Sequence, residues 1–162
     1  MHSLLIIGQT FPEPTTTAAG GRMLQLIEMF ISHGYAITFA SSASSSEKSF
    51  NLDSIGVATQ QIAINDSSFD DFVRQLNPTL VLFDRFITEE QFAWRVTQSC
   101  PKALKILDTE DLHFLRKARQ QALKNATDVK DSNLFTETAK REIASILRCD
   151  LSLIISEFEM KL

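Results

Sequence analysis

Residues 3–8 read SLLIIG, a short apolar run that ends in a glycine. Four further runs are equally short, are rich in Leu, Ile, Val or Phe, and end in a small or polar residue: 36–41, 79–84, 103–108 and 151–156. Apolar runs that are nearly continuous, instead of alternating with polar residues, are typical of parallel strands covered by helices on both faces. The five runs therefore predict a parallel sheet, to which the segment 56–64 adds one weaker strand.

Helical segments are predicted between these strands. The first covers residues 20–33, with Gly34 at the position of a helix C-terminal glycine, and the second covers 67–76. The third starts at Thr88, which forms a capping box with Gln91, the fourth starts within 108–111, and the fifth covers 134–148. Strands and helices that alternate in this way, joined by right-handed crossovers, predict an α/β fold with a doubly wound, mostly parallel sheet in a three-layer, Rossmann-like arrangement. The apolar side of the fifth helix is predicted to consist of Phe135, Ala139, Ile143, Ile146 and Leu147.

The composition restricts the class of protein. The 162 residues have the size of one domain, the formal net charge is −4, and the 16 Lys and Arg residues are scattered, which argues against binding of nucleic acid. The two cysteines, Cys100 and Cys149, have neither metal-ligand spacing nor the density of a disulfide scaffold, so we expect free thiols in a reducing cytoplasm. No apolar run is long enough to cross a bilayer, and neither a transmembrane segment nor a secretion signal is predicted.

Polar residues follow the predicted strands at their carboxyl ends, where open α/β sheets bind ligands. Carboxylates and amides bond the hydroxyls of a sugar at defined angles, so this edge suits a hydroxyl-rich ligand. Simpler roles stay open: an ion pair between Asp84 and Arg85, capping of a helix by residues 108–111, and packing of His113. The Asp-x-Glu spacing at 108–110 lacks the further oxygen ligands of a magnesium site, and no metal site is predicted. The candidates for contact with a sugar or acceptor are Asp84, Arg85, Asp108, Glu110, Asp111 and His113.

The loop after the first strand, residues 8–22, is unusually long for a connection between a strand and a helix. Gly20 and Gly21 are predicted to open the first helix, where unpaired amides and the positive end of the helix dipole favour a phosphate, and Arg22 adds charge. These three residues are the candidates for binding a donor phosphate. The alternative is that the two glycines only permit a turn. The patterns of dinucleotide-binding and P-loop proteins do not occur, which disfavours a nicotinamide or ATP site.

The segments 11–14, 18–26, 34–41, 78–94 and 107–113 together resemble the N-terminal domain of bacterial GT-B-fold glycosyltransferases of the retaining, nucleotide-sugar-dependent type. The resemblance covers nearly the whole chain and implies that residues 1–162 form the acceptor-side half of such an enzyme. It also implies that the first-loop glycines lie near the donor diphosphate, and that His113 and the acidic residues before it lie near the transferred sugar. The nucleotide sugar would be a substrate, and no cofactor is implied.

In enzymes of this family a second Rossmann-like domain, which carries a pair of glutamates, binds most of the nucleotide sugar. Glu157 and Glu159 do not replace that pair, so we expect the C-terminal domain of the same protein to be absent from this chain. The expected activity is therefore transfer of a sugar to a glycan or other acceptor by the full-length protein, with the isolated chain inactive.

Two alternatives stay open. A stand-alone flavodoxin-like domain for ligand binding or signalling shares the fold class. A phosphoacceptor domain of this type would need an acidic pair after the first strand and a lysine at the end of a late strand. This chain has Gly8-Gln9 at the first of these places and Ser156 at the second. Half of a nucleotide-sugar epimerase shares the two-domain architecture and differs from a transferase in needing no acceptor.

Overall fold

The computed structural model describes residues 2–128 and 134–162. Its sheet consists of six parallel strands: β1 (Ser3–Gly8), β2 (Ala36–Ser41), β3 (Ala58–Gln61), β4 (Leu80–Asp84), β5 (Leu104–Asp108) and β6 (Leu151–Leu153). Their spatial order is β3-β2-β1-β4-β5-β6. The chain therefore builds the sheet outward from β1 in one direction, crosses back, and builds from β4 in the other direction. This is the doubly wound topology that the strand pattern predicts.

Helices cover both faces of the sheet. They are α1 (Ala18–Ser32), α2 (Ser68–Leu76), α3 (Arg85–Ser99), α4 (His113–Asn125), α5 (Glu137–Arg148) and the short α6 (Glu157–Met160), with a 3-10 helix at Leu52–Ile55. The α1 and 3-10 helices pack on one face, while α2, α3 and α5 pack on the other. The prediction of a three-layer, Rossmann-like α/β fold is confirmed. None of the helices in the described ranges is long and apolar enough to span a membrane.

Alternate residues of the central strands enter different cores, which explains why these runs are apolar throughout. In β1, Leu5 and Ile7 pack with α2 and α3, whereas Leu4 and Ile6 pack with α1. All four side chains are at most 1% exposed. Because burying one such side chain contributes about 1.5–3 kcal/mol, a polar residue at any of these four positions would be strongly disfavoured.

The α1 and α4 helices begin at other residues than predicted. The α1 helix begins at Ala18, before Gly20, because the Thr17 hydroxyl accepts the Gly20 amide at 3.0 Å and caps the helix earlier. The α4 helix begins at His113, later than the predicted window of 108–111. Residues 108–111 therefore form the end of β5 and the loop after it, and the expectation that they cap a helix is wrong.

The α3 helix follows β4 without an intervening loop. It begins at Arg85, not at Thr88, so the predicted capping box of Thr88 and Gln91 is wrong. The Thr88 hydroxyl instead donates to the carbonyl oxygen of Asp84 at 2.9 Å, inside the first turns of the helix. The middle of this helix packs into the core, since Phe92, Ala93 and Val96 are buried.

The buried side of α5 is more polar than predicted. Ala139 is buried as expected, but Glu142 and Ser145 occupy the rest of the buried side. They are buried because Glu142 bonds to α4 and Ser145 bonds to α3. Much of the predicted apolar side is exposed instead, at Phe135, Ile143 and Leu147.

Candidate functional site

A cavity of about 260 Å³ lies at the carboxyl ends of β1 and β4, the two neighbouring strands between which the strand order reverses. Ligands of open α/β proteins bind at this position, because the loops leaving the two strands run in opposite directions and leave a crevice between them. The first loop and the first turns of α1 form one wall. The opposite wall consists of the side chains of Asp84, Arg85, Glu110 and Arg116.

Asp84 is the last residue of β4 and is 4% exposed. Its Oδ2 accepts the backbone amide of Gln9 at 3.1 Å, which fixes the first loop to the end of β4. Its Oδ1 is buried, lies 3.2 Å from Nε of Arg85, and has no hydrogen-bond partner in the described part of the chain. Burial raises the pKa of Asp84, and the charge of Arg85 and the Gln9 amide offset this only in part.

Arg85 connects three strand ends. Its Nη1 donates to Oε1 of Gln9 after β1 at 2.8 Å, and its Nε lies 2.9 Å from Oε2 of Glu110 after β5. The backbones of Arg85 and Glu110 both adopt the left-handed conformation, with φ of 73° and 57°. That conformation is unfavourable for residues with a side chain and often marks functional sites. It turns both side chains toward the same cavity.

Glu110 has the second perturbed carboxyl group of the cavity. Burial raises its pKa, and the nearby charge of Asp84 raises it further, while Arg85 acts in the opposite direction. Its Oε1 is buried without a hydrogen-bond partner among the described residues, as is Nε of Arg85. Leaving a buried polar group unsatisfied costs about 1–3 kcal/mol, so a cluster of them calls for an explanation.

Arg22 and Asp108 form an ion pair beside this cluster. The Asp108 side chain is fully buried, and Arg22 reaches it from α1 with Nη2 2.9 Å from Oδ1 and Nε 3.2 Å from Oδ2. The hydrogen bonds that the Arg22 guanidinium donates to the Asp108 carboxylate raise the pKa of Arg22. Both groups are therefore engaged with each other and tie α1 to the end of β5.

Gly20 and Gly21 lie inside the first turn of α1. The Gly20 amide donates to the Thr17 hydroxyl at 3.0 Å, and the Gly21 amide donates to the Thr17 carbonyl at 3.3 Å. A Cβ atom at Gly20 would lie 2.6 Å from the backbone of Glu13, whereas one at Gly21 would meet nothing within 4 Å. Gly20 is thus required by the close approach of the first loop. Contact of the two glycines with a donor phosphate stays a prediction.

His113 and Asp111 lie outside the cavity lining. The His113 ring is 5.4 Å from the ring of Phe86, edge to face, and its Nδ1 lies 3.1 Å from the carbonyl oxygen of Asp111 and 3.3 Å from Oε1 of Glu142. Asp111 pairs with Arg116 at 3.2 Å. In this arrangement the Nδ1 side of His113 faces groups of the protein itself.

The structure thus brings three of the six predicted sugar- or acceptor-contacting residues into one cavity: Asp84, Arg85 and Glu110. Asp108 is not part of the cavity lining and forms its ion pair with Arg22 beside the cavity. Arg116 also lines the cavity, although it is not among the predicted residues. It lies one helical turn after His113, and this spacing places the two residues on the same side of α4. Across residues 2–128 and 134–162, no group of three His, Cys, Asp or Glu side chains is placed to hold a metal ion.

These features define the class of the protein as a Rossmann-like α/β domain with a polar cavity at the topological switch point. Comparison with models of known protein families and with curated proteins found no match to the chain. The family likeness therefore depends on the sequence segments quoted above.

Proposed function

We propose that this domain is the acceptor-side half of a nucleotide-sugar-dependent glycosyltransferase and that its switch-point cavity receives part of the sugar or acceptor. The observation that carries the proposal is the convergence of Asp84, Arg85 and Glu110 on one cavity with buried polar atoms left unsatisfied. Sugars carry many hydroxyl groups, each of which both donates and accepts, so they are well suited to satisfy such a cluster.

The size of the cavity supports a small polar ligand. Pockets for drug-sized molecules are roughly 300–1,000 Å³, and this cavity, at about 260 Å³, lies just below that range. A single sugar ring is a better match to this volume than a whole nucleotide. The nucleotide would therefore bind mainly to a second Rossmann-like domain, as the resemblance implies.

The residues take distinct roles in this proposal. Asp84, Arg85 and Glu110 bind and orient the ligand, while the ion pair of Arg22 and Asp108 positions α1 against the sheet. Ordered, pre-placed polar groups of this kind hold a reactant in a defined orientation, which is a major part of enzymatic rate enhancement. The nucleotide sugar is a substrate in this scheme, and no cofactor is proposed.

Two measurements test the proposal. Titration calorimetry of residues 1–162 with nucleoside diphosphates is expected to give weak or no binding, and micromolar affinity would contradict the division of labour between the two domains. In the full-length protein, a second Rossmann-like domain is expected after Leu162, and incubation with nucleotide sugars is expected to give product only when an acceptor is added. A modified nucleotide sugar formed without any acceptor would indicate an epimerase instead.

A further inference from the structure

A second cavity, of about 690 Å³, lies in the helical layer between α3 and α5, and we call it the α3–α5 groove. Most of its lining comes from α3, while Lys105 comes from β5 and Arg148 from the end of α5. Its lining residues differ from those of the switch-point cavity, and the proposed function does not use it. Its volume lies within the range of pockets that bind small molecules, roughly 300–1,000 Å³.

Trp94 gives the groove a flat apolar wall. The residue is 48% exposed, although tryptophan is highly buried on average. The guanidinium of Arg95 lies 4.6 Å from the centroid of its ring, and Arg95 is itself held by Asp70 at 2.6 Å. The ring is therefore fixed in position at the boundary with solvent. A fixed, exposed aromatic ring is suited to pack against another flat apolar group.

Lys105 places a positive charge in the same groove. Its Nζ donates to the Thr97 hydroxyl at 3.3 Å and forms no ion pair with a carboxylate of the described residues. Asp150 accepts the backbone amide of Lys105 at 2.8 Å instead of its ammonium group. Burial raises the pKa of the nearby Cys149 thiol to about 12, so this thiol is neutral at pH 7 and offers no negative charge.

The other charges of the groove are already paired. Glu89 is 1% exposed and accepts Nε of Arg148 at 2.9 Å, and Glu90 accepts Nε of Arg141 at 3.0 Å. Each glutamate thus forms a neutral pair with an arginine. The ammonium group of Lys105 is the charge that these pairs leave over, so the groove suits a ligand with a single negative charge.

We infer that the α3–α5 groove binds a small organic acid that has one carboxylate and a flat, aromatic part. Lys105 donates to the carboxylate, and Trp94 packs against the aromatic part. A phosphate with two negative charges is disfavoured, because its second charge would lie close to Glu89 and Glu90 without a further free cation. This inference is independent of the proposed function, which concerns the other cavity.

The test is nuclear magnetic resonance titration of the 162-residue chain, observed at the indole N–H of Trp94. This is the sole tryptophan of the sequence, so its signal is assigned without ambiguity. The probes are phenylacetate, phenylacetamide, which has nearly the same shape without the charge, and phenyl phosphate. Phenylacetate is expected to shift the signal saturably in the millimolar range. The amide is expected to bind about tenfold more weakly, because it lacks the charge-assisted hydrogen bond to Lys105, and phenyl phosphate is also expected to bind more weakly.

Substitutions identify the cation. Lys105→Met is expected to weaken phenylacetate binding about tenfold, to the level of the amide, whereas Lys105→Arg keeps the charge and is expected to retain most of the affinity. Lys102→Met, at an exposed lysine three residues earlier, is the matched control and is expected to bind like the wild type. Each variant is first checked for a wild-type pattern of backbone amide signals.

The comparison of the three probes on the wild type keeps the inference testable even if a variant does not fold. Equal binding of phenylacetate and phenylacetamide, tighter binding of phenyl phosphate, or no shift of the Trp94 signal with phenylacetate would overturn it, as would full affinity in a folded Lys105→Met variant. Sugar transfer by the full-length protein bears on the proposed function alone, so the two can fail separately.

Discussion

Oε1 of Glu142 lies 3.0 Å from the backbone nitrogen of His113, although the two residues belong to different helices. The other carboxylate oxygen accepts the backbone amide of Phe114, also at 3.0 Å. The residue before α4, Leu112, provides no side-chain cap. A glutamate of α5 therefore caps α4 from outside, and its negative charge complements the positive end of that helix.

Glu142→Ala is expected to lower the free energy of unfolding by about 3 kcal/mol, because Glu142 is 1% exposed and its loss leaves two buried amides without acceptors. Urea denaturation measures this loss, and hydrogen exchange is expected to be faster at the amides of His113 and Phe114. Glu137→Ala, at the exposed start of the same helix, is expected to change stability by less than about 0.5 kcal/mol. Similar effects of the two substitutions would contradict the capping role.

The two glycines of α1 are expected to respond in opposite ways to alanine. Gly20→Ala places a methyl group against the backbone of Glu13 and is expected to cost about 1–3 kcal/mol of stability. Gly21→Ala has free space and is expected to stabilise the helix by about 0.5–1 kcal/mol. Thermal unfolding of both variants checks this pair, and destabilisation by Gly21→Ala would show that this position is more crowded than the structure indicates.

Asp84→Asn is expected to make the protein more stable at neutral pH, by about 1 kcal/mol, while it weakens ligand binding. Burial raises the pKa of Asp84 above its ordinary value of 3.8, so the folded state binds the proton more tightly than the unfolded state. The wild type therefore loses stability relative to the variant as the pH rises above about 3.8, and the two converge below it.

Urea unfolding of Asp84→Asn and the wild type across this pH range measures the effect. Asp71→Asn, at an aspartate whose side chain is 76% exposed, serves as the control. It is expected to show no comparable trend. A wild type that gains stability over Asp84→Asn with rising pH would mean that the Arg85 ion pair outweighs the cost of burial.

Arg22→Met is expected to lower the free energy of unfolding by about 3 kcal/mol, because it leaves the buried Asp108 carboxylate without a cation. Adding Asp108→Asn to this variant is expected to restore part of the loss. A double-mutant cycle from chemical denaturation gives the coupling energy. Arg74→Ala removes an arginine whose side chain is 55% exposed and is expected to have almost no effect. Additive effects of Arg22→Met and Asp108→Asn would contradict the coupling.

The bounds of the central strands were predicted to within one residue, because the helices on both faces of the sheet require apolar side chains along the whole of each strand. The length of the edge strand β6 was not predicted correctly. The apolar run 151–156 predicts a strand of six residues, but only Leu151–Leu153 pair with β5. Hydrophobicity alone does not distinguish a paired residue from one that merely follows the strand. The predicted start of α3 was wrong because the true start depends on one backbone angle, the positive φ of Arg85. The local pattern of Thr88 and Gln91 carries no information about that angle.

Part of the candidate site was predictable for a topological reason. Parallel strands end at the same edge, so the residues after β4 and β5 were expected to meet, and Asp84, Arg85 and Glu110 do. The partners of Arg22 and His113 were not predictable, because Asp108 is 86 residues away from Arg22 and Glu142 is 29 residues away from His113. Such contacts depend on how whole helices pack against each other, which the local sequence does not determine.

The left-handed backbone of Glu110 sets stability and ligand recognition in opposition at that position. Glycine there would relieve backbone strain of about 1 kcal/mol, yet it would remove a side chain from the cavity. At Arg85, which has the same backbone conformation, glycine would also remove the cation beside the buried Asp84 carboxylate, so stability does not favour it. A descendant lineage that no longer uses the cavity is therefore expected to acquire glycine at position 110 early, so that this position records whether the ligand is still under selection.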